Sequence, residues 1–182
     1  MSQGKAPETI ETARLLLRKP AASDAVAIFR RYASDPEVTR YLSWPTHSSM
    51  EDTQAFLAWS DAEWKLWPAG SYLVFARDNR RRLLGGTGLI FKTPTCAVTG
   101  YVFARDAWGK GYATESLQAM VELAAQIGIQ RLEAICHVDH HASARVMEKC
   151  GFLCEGILRS HTQFPNTYPG TKSDVLSYAR LF

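Results

Sequence analysis

No apolar run in this 182-residue chain approaches the roughly 20 residues that span a bilayer. No basic-then-apolar segment opens it either, so a cytoplasmic protein with no membrane partner is expected. Charge of one sign is scarce: 21 Lys and Arg against 18 Asp and Glu leave +3. That is too little to argue for direct nucleic-acid binding. Cysteine is limited to Cys96, Cys136, Cys150 and Cys154, with no Cys-x-x-Cys. Cys150 and Cys154 have no His/Cys partners that would complete a zinc site. They read as small buried or half-buried thiols, and no metal is expected. A Walker loop would need glycine at Ala104, and a dinucleotide fingerprint would need it at Thr114, so both nucleotide motifs fail. There is no internal repeat, linker or low-complexity stretch. No coiled-coil pattern forces an assembly, which leaves monomer and homodimer open.

What is present centres on Trp108-Gly109-Lys110-Gly111-Tyr112-Ala113-Thr114-Glu115. An alternating run from Ala97 to Arg105 predicts a strand before it. Ala113, Leu117, Met120, Val121, Ala124 and Ile127 predict a helix after it, ending at Gly128. Two glycines at the joint let backbone approach a ligand closely. The first helical turn offers amide N–H groups without intrahelical partners, at the positive end of the helix dipole. A strand–turn–helix that holds a phosphorylated ligand is one reading, and a plain tight turn is the other.

The rest of the chain predicts further strands at Thr12–Arg18, Tyr72–Arg77, Arg82–Phe91, Arg131–Val138, Phe152–Ser160 and Ser173–Leu181. Helices are predicted from Ser23-Asp24 to Tyr32, from Glu51 to Trp64 behind Ser49, and from Ala142 to Cys150. Gly85, Gly86 and Gly88 predict a bulge or a close backbone approach. A strand, a long helix and a strand in that order imply a parallel pair with a right-handed crossover. The expected class is α/β (α+β), with a mixed, mainly antiparallel sheet of about seven strands and flanking helices. Residues 8–182 are expected to form one domain, with 1–7 a flexible N-terminus.

The glycine stretch resembles the acyl-CoA pyrophosphate loop of the GNAT superfamily of N-acetyltransferases, whose pattern is Gln/Arg-x-x-Gly-x-Gly/Ala. Gly111 and Ala113 take the two small positions, and Trp108 departs from the Gln/Arg. Trp-Gly-Lys-Gly-Tyr-Ala-Thr-Glu is similar to the RimJ/RimL-like branch, which acetylates ribosomal-protein N-termini. The resemblance runs from Glu11-Thr12-Ala13-Arg14-Leu15-Leu16-Leu17-Arg18 almost to the C-terminus. It implies a V-shaped split in the sheet, acetyl-CoA as acetyl donor, and an amine acceptor. The acceptor is a protein N-terminal α-amine, with a small-molecule amine as alternative. A non-catalytic acyl-CoA-binding module is a further alternative.

By that resemblance, Trp108, Gly109, Lys110, Gly111, Tyr112, Ala113 and Thr114 hold the pyrophosphate. Backbone near Tyr101, Val102 and Phe103 pairs with the pantetheine arm. A second signature, His140-His141-Ala142-Ser143-Ala144-Arg145-Val146-Met147-Glu148-Lys149-Cys150-Gly151-Phe152, resembles the branch pattern Asn-x-x-Ser-x-x-Val-x-Glu-Lys-x-Gly-Phe. His140 stands where the branch has a pantetheine-contacting asparagine, and Asp139 is an alternative helix cap. Met147 stands where many members carry a proton-donating tyrosine. Ser143, one turn earlier on the same face, is then the expected hydrogen-bond donor or relay at the CoA sulfur. His137, near the end of its strand, is the first candidate base. Glu155, His161 and Asp174 are further candidates, and Glu115 is expected to stabilise its helical turn. Trp44 is expected either to pack between helices or to line the acceptor pocket.

Overall fold

The computed structural model describes residues 4–182. The strands are β1 (Thr9–Glu11), β2 (Leu15–Arg18), β3 (Ser71–Ala76), β4 (Leu83–Thr93), β5 (Cys96–Phe103), β6 (Arg131–His137), β7 (Leu153–Gln163) and β8 (Lys172–Leu181). They form one sheet in the order β1-β2-β3-β4-β5-β6-β8-β7. Helices α1 (Ala25–Ile28), α2 (Pro36–Thr39), α3 (Met50–Leu66), α4 (Tyr112–Gln126) and α5 (His141–Lys149) flank it. The mixed, mainly antiparallel sheet expected from sequence is therefore present, with eight strands in place of about seven. The additional strand is β1, a three-residue piece that pairs with β2 from Thr9↔Arg18 to Glu11↔Leu16. The strand expected from Thr12 begins only at Leu15, because Thr12–Arg14 form the turn of this hairpin.

Alternation sorts the side chains between two faces. Leu15, Leu17, Tyr72 and Val74 join one buried cluster with Leu117, Met120, Val121 and Ala124 of α4 and Met147 of α5. Leu16, Leu73 and Phe75 join the other, with Ile28, Tyr32, Val38 and Leu57. Each fully buried Leu or Met on the α4 stripe contributes about 1.5–3 kcal/mol. The helix expected from Ser23 to Tyr32 is broken into a tight first turn, the short α1 and a wide π-type turn over Phe29–Ala33. Asp24 does not cap it simply. Its carboxylate takes the Ala21 N–H at 2.8 Å and the Arg18 guanidinium at 2.7 and 2.9 Å.

The expected loose N-terminus falls partly on residues 1–3, outside the described residues. Further on, Ala6 is buried and donates its N–H to Pro68 O at 2.9 Å. The Tyr72 phenol donates to Pro7 O at 2.7 Å.

The feature that makes a site is the one parallel ladder. β5 and β6 pair only at Cys96↔Arg131, Ala97↔Leu132 and Val98↔Glu133. Beyond those residues β5 stays with β4 as far as Phe103↔Gly85, and β6 stays with β8 as far as His137↔Val175. Each strand follows its own half-sheet, and the halves part. Among the described residues, the inner edges of β5 after Val98 and β6 after Glu133 have no strand partner.

Gly85 holds the β5 side in place. A Cβ built there would lie 2.0 Å from the Val102 carbonyl oxygen, whereas one at Gly100 meets nothing within 4 Å. Gly85→Ala is expected to destabilise the protein by about 1–3 kcal/mol through backbone displacement. Gly100→Ala is expected to cost no more than the usual surface change of about 0.5 kcal/mol. Urea unfolding of both variants checks the contrast. Equal midpoints would remove the close-approach argument.

Candidate active site

The glycine loop lies between a short turn, Arg105–Ala107, and the start of α4. Gly109 and Gly111 both adopt left-handed backbone, with φ of 72° and 77°. Two such turns in three residues keep the peptide N–H groups out of the helix. Among the described residues, no acceptor receives the N–H of Gly109, Lys110 or Gly111. Tyr112, Ala113 and Thr114 follow as the first turn of α4, where N–H groups have no carbonyl four residues back. A Cβ on Gly109 would meet nothing within 4 Å, whereas one on Gly111 would lie 3.3 Å from the Arg14 guanidinium. That concave set of amides suits a pyrophosphate.

Long-range contacts hold the loop. The Arg14 guanidinium donates to Lys110 O at 2.8 Å and to Glu115 Oε2 at 2.7 Å, and it lies 4.9 Å above the Tyr112 ring. Glu115 Oε1 also accepts the Thr12 hydroxyl at 2.6 Å and the Arg14 N–H at 2.8 Å. Burial works against the Glu115 carboxylate, but these donors outweigh it and hold its pKa below the ordinary value. Glu115 thus fastens α4 to the β1–β2 turn, and it is not free to take a proton. Lys110 donates its ammonium to Asp106 O at 2.7 Å. The Trp108 indole donates to Phe103 O at 2.7 Å, which folds the loop back on β5.

Where the halves part, two of the expected site residues meet. The Tyr101 phenol of β5 lies 2.9 Å from Ser143 Oγ and 3.0 Å from Ser143 O, at the first turn of α5. Burial raises the phenol pKa well above its ordinary value, so Tyr101 stays protonated. Continuing the ladder register sets Tyr101 opposite Cys136. Burial, with Cys154 adding to it, pushes the Cys136 thiol up to about 11, which leaves it neutral. Met147, where a tyrosine was missed in the sequence, is buried in the core and offers no proton. Phe103 is buried too, while Val102 packs against the opposite cluster.

His137 ends β6, almost fully buried. Its ring stacks on Tyr41 at 5.1 Å and on Tyr168 at 5.8 Å, with Phe164 edge-on at 5.1 Å. The Asp139 N–H donates to its Nδ1 at 3.1 Å. In the neutral ring that bond assigns the proton to Nε2. A base role at Nε2 therefore needs a change of tautomer. Asp139 is not the helix cap, because it lies one residue outside the N-cap of α5. His140 occupies the N-cap of α5 and makes no side-chain cap bond. The His140 ring also stacks with Tyr41, at 4.9 Å. Burial lowers its pKa, with His137 and His141 adding to the effect, so it is neutral at pH 7. Neither of its ring nitrogens has a hydrogen-bond partner among the described residues.

The remaining candidates are occupied elsewhere. Glu155 is exposed on β7 and paired with Arg131. His161 is exposed, with Nδ1 at 2.8 Å from the Thr162 hydroxyl. Asp174 accepts the Ser160 N–H at 2.8 Å, at the bulge where Ser160 has φ 47°.

Trp44 packs against the second buried cluster, 5.2 Å from the His47 ring. What binds its loop is a residue the sequence reading passed over. Asn166 Oδ1 accepts from Thr46 N–H at 2.8 Å and the Thr46 hydroxyl at 3.1 Å. Its Nδ2 donates to Thr39 O at 2.8 Å and Trp44 O at 2.9 Å. One amide thus joins two loops more than a hundred residues apart. Among the described residues no group of His, Cys, Asp or Glu could hold a metal ion, and no helix is long and apolar enough to cross a membrane.

A parted β5–β6 pair beside a free-amide loop defines a protein that binds an acyl-CoA and works on its thioester. Residues 14–153 match the family model described as an acetyltransferase (GNAT) domain, and the chain belongs to that family. It is 30% identical over 155 residues to the uncharacterized N-acetyltransferase YoaA of Bacillus subtilis (strain 168), covering 84% of this chain and 86% of that one. It is 27% identical over 142 residues to the ribosomal-protein-serine acetyltransferase of Escherichia coli (strain K12), covering 77% and 76%. Among solved structures, RimL, the ribosomal L7/L12 alpha-N-protein acetyltransferase in complex with CoA, superposes with a TM-score of 0.83 at 26% identity. That match covers 96% of this chain and 98% of that chain. The protein is an acyltransferase with acetyl-CoA as donor, related to the RimJ/RimL-like branch.

Gly111→Asp tests the loop. The new side chain must adopt left-handed backbone, at a cost of about 1–2 kcal/mol. It also puts a negative charge beside the free amides, with its Cβ 3.3 Å from the Arg14 guanidinium. CoA affinity measured by calorimetry is expected to fall at least about tenfold, which is about 1.4 kcal/mol. Unchanged affinity would move the pyrophosphate elsewhere.

Proposed function

We propose that this enzyme acetylates a protein N-terminal α-amine. The observation that supports the transfer step most is the Ser143–Tyr101 meeting at the point where β5 and β6 part. The likeness to the ribosomal-protein-serine enzyme and to RimL supports the acceptor class. In this reading the amides of Gly109 to Thr114 hold the pyrophosphate, with Trp108 and Lys110 shaping the loop. The free inner edge of β5 at Tyr101, Val102 and Phe103 pairs with the pantetheine amides and aims an N–H at the thioester oxygen. Ser143 donates to the sulfur. The loop tied by Asn166, with Trp44 beneath it, forms the acceptor side. A cytoplasmic location fits this assignment.

The acceptor nitrogen attacks the thioester carbonyl carbon, the C–S bond breaks, and the thiolate leaves. An α-amine has a pKa of about 7.7–8.0, so a modest base suffices. His140 takes the amine proton, because its ring is neutral and unpartnered. His137, holding its proton on Nε2, donates to a carbonyl of the acceptor chain. His140→Asn installs the residue typical of the branch and keeps a pantetheine contact. It is expected to retain CoA affinity while kcat falls by about 10² at pH 7, the lower end of general-base effects. An unchanged kcat would make His140 a pantetheine contact only.

The acceptor is tested with acetyl-CoA, a panel of short peptides with free N-termini, and a panel of small primary amines, reading thiol release. Turnover on peptides with acetylation at the α-amine supports the proposal. Turnover confined to small amines overturns it. Asn166→Ala is expected to raise KM for the peptide at least about fivefold, with acetyl-CoA KM unchanged, since losing such a bonded amide costs about 1–3 kcal/mol. Equal KM would detach these loops from the acceptor.

The thiol end of the cofactor has its own test. The RimL structure holds CoA as a disulfide with a cysteine of that enzyme. Here Cys136 is the cysteine nearest Ser143 in this arrangement, and Cys154 is exposed. Because the Cys136 thiol is buried and neutral, exchange of CoA disulfide onto it in Cys154→Ser protein is expected to be slow at pH 7 and to quicken as the pH rises toward 11, expelling one CoA thiolate, with acetyl-CoA protecting it. Peptide mass mapping reads the adduct. Attachment at Cys96 alone would misplace the thiol.

A further inference from the structure

The conserved chemistry of this reaction leaves a problem at the sulfur. The core position on α5, Met147, has no proton to give, and Ser143 has only one. A serine hydroxyl rotates freely, so its single O–H can point at the leaving thiolate or away from it. What turns it is the other side of the split. Tyr101 comes from β5 and Ser143 from α5, 42 residues apart in sequence, yet their oxygens lie 2.9 Å apart. The same phenol oxygen is 3.0 Å from the Ser143 carbonyl.

We propose that Tyr101 is a positioning residue for the acetyl transfer, its phenol donating to Ser143 Oγ so that the serine O–H is aimed at the CoA sulfur. This rests on the reading of Ser143 as the group at that sulfur. Two arrangements compete. With the phenol proton on the Ser143 carbonyl, the serine proton is drawn to the phenol oxygen and is lost to the thiolate. With the phenol proton on Oγ, the serine proton is released from the phenol and shared between the neighbouring Cys136 sulfur and the CoA sulfur, and the chain Tyr101 O–H···Oγ–H···S is polarised along its length. Negative charge developing on sulfur as the C–S bond breaks favours the second arrangement. The bonds that form and break are those of the transfer itself. Tyr101 keeps its proton throughout and supplies only a hydrogen bond.

The location fits this role. Tyr101 is three residues beyond Val98, the last residue of β5 paired with β6, and its side chain crosses from the β5 half to α5. It therefore spans the gap at its narrow end while the strand's own backbone edge stays free. A sequence pattern that looks for a donor on α5 does not find it, because the phenol arrives from the opposite wall.

The test is a double-mutant cycle of Tyr101→Phe and Ser143→Ala, with kcat, KM and CoA affinity measured for each protein on the best amine from the acceptor screen. Phenylalanine keeps the ring packing and removes only the hydroxyl. Thermal unfolding of each variant checks folding. Tyr101→Phe is expected to lower kcat about tenfold in the wild-type background and less than about twofold in the Ser143→Ala background, with CoA affinity within about twofold throughout. A merely structural tyrosine would instead lower kcat equally in both backgrounds or weaken CoA binding, and either result overturns the proposal. So does an unchanged kcat in Tyr101→Phe. A Ser143→Ala protein with full turnover rejects the underlying assignment of Ser143, and is told apart because Tyr101→Phe is then read against an intact chemical step. Ser143→Thr keeps a hydroxyl at the same place and is expected to restore the sensitivity to Tyr101→Phe.

Discussion

The β5–β6 ladder stops after three residue pairs, and the rest of the site depends on that early stop. A continuous parallel ladder would satisfy the backbone of both strands and leave no room between them. Because β5 is bound to β4 and β6 to β8, each strand curves with its own partner. Sheet twist then separates them progressively. The exposed edge groups need partners, since a buried unpaired peptide group costs about 1–3 kcal/mol. An extended ligand with its own amides can supply them. The same separation brings the α5 N-terminus over the gap, where side chains from both halves can meet.

A second constraint keeps the anion cradle from collapsing. Two successive left-handed glycines leave several amides without an acceptor among the described residues, a conformation with little intrinsic stability. Arg14 and Thr12, from the β1–β2 turn, grip Glu115 and the Lys110 carbonyl from outside. An exposed ion pair alone contributes less than about 1 kcal/mol. Here one carboxylate receives three protein donors and the guanidinium also bonds a loop carbonyl. The gain lies in geometry: the loop and the helix start are fixed relative to the sheet before any ligand arrives.

The glycine loop and the α4 stripe were legible in the sequence because each is a local signal with its own period or backbone demand. The close approach at Gly85 was legible for the same reason. Tyr41, Asn166, Phe164 and Tyr168 were not, because their meaning lies in partners far along the chain. Asn166 reads as an ordinary loop residue between Pro165 and Pro169, and only its four bonds to Thr39, Trp44 and Thr46 reveal it as a tie. Asp139 looked like a helix cap from its place before α5. In the structure the helix starts one residue later than such a cap requires, and the cap position falls to His140. The short β1 carried too few residues to show a strand period.

Two departures from the branch pattern, His140 and Met147, belong to one rearrangement. A methionine at 147 closes the core beneath α5 and gives up a phenol there, while Tyr101 brings a phenol to the same helix from β5. A histidine at 140 gives up an asparagine amide but adds a ring that stacks with Tyr41, which in turn stacks on His137. Burial holds the His140 pKa below its ordinary value, while the Asp139 N–H occupies Nδ1 of His137. Identity at single motif positions is therefore a poor guide to this site. Next to Ser143, which sits on α5 where the motif has its serine, the phenol comes from β5.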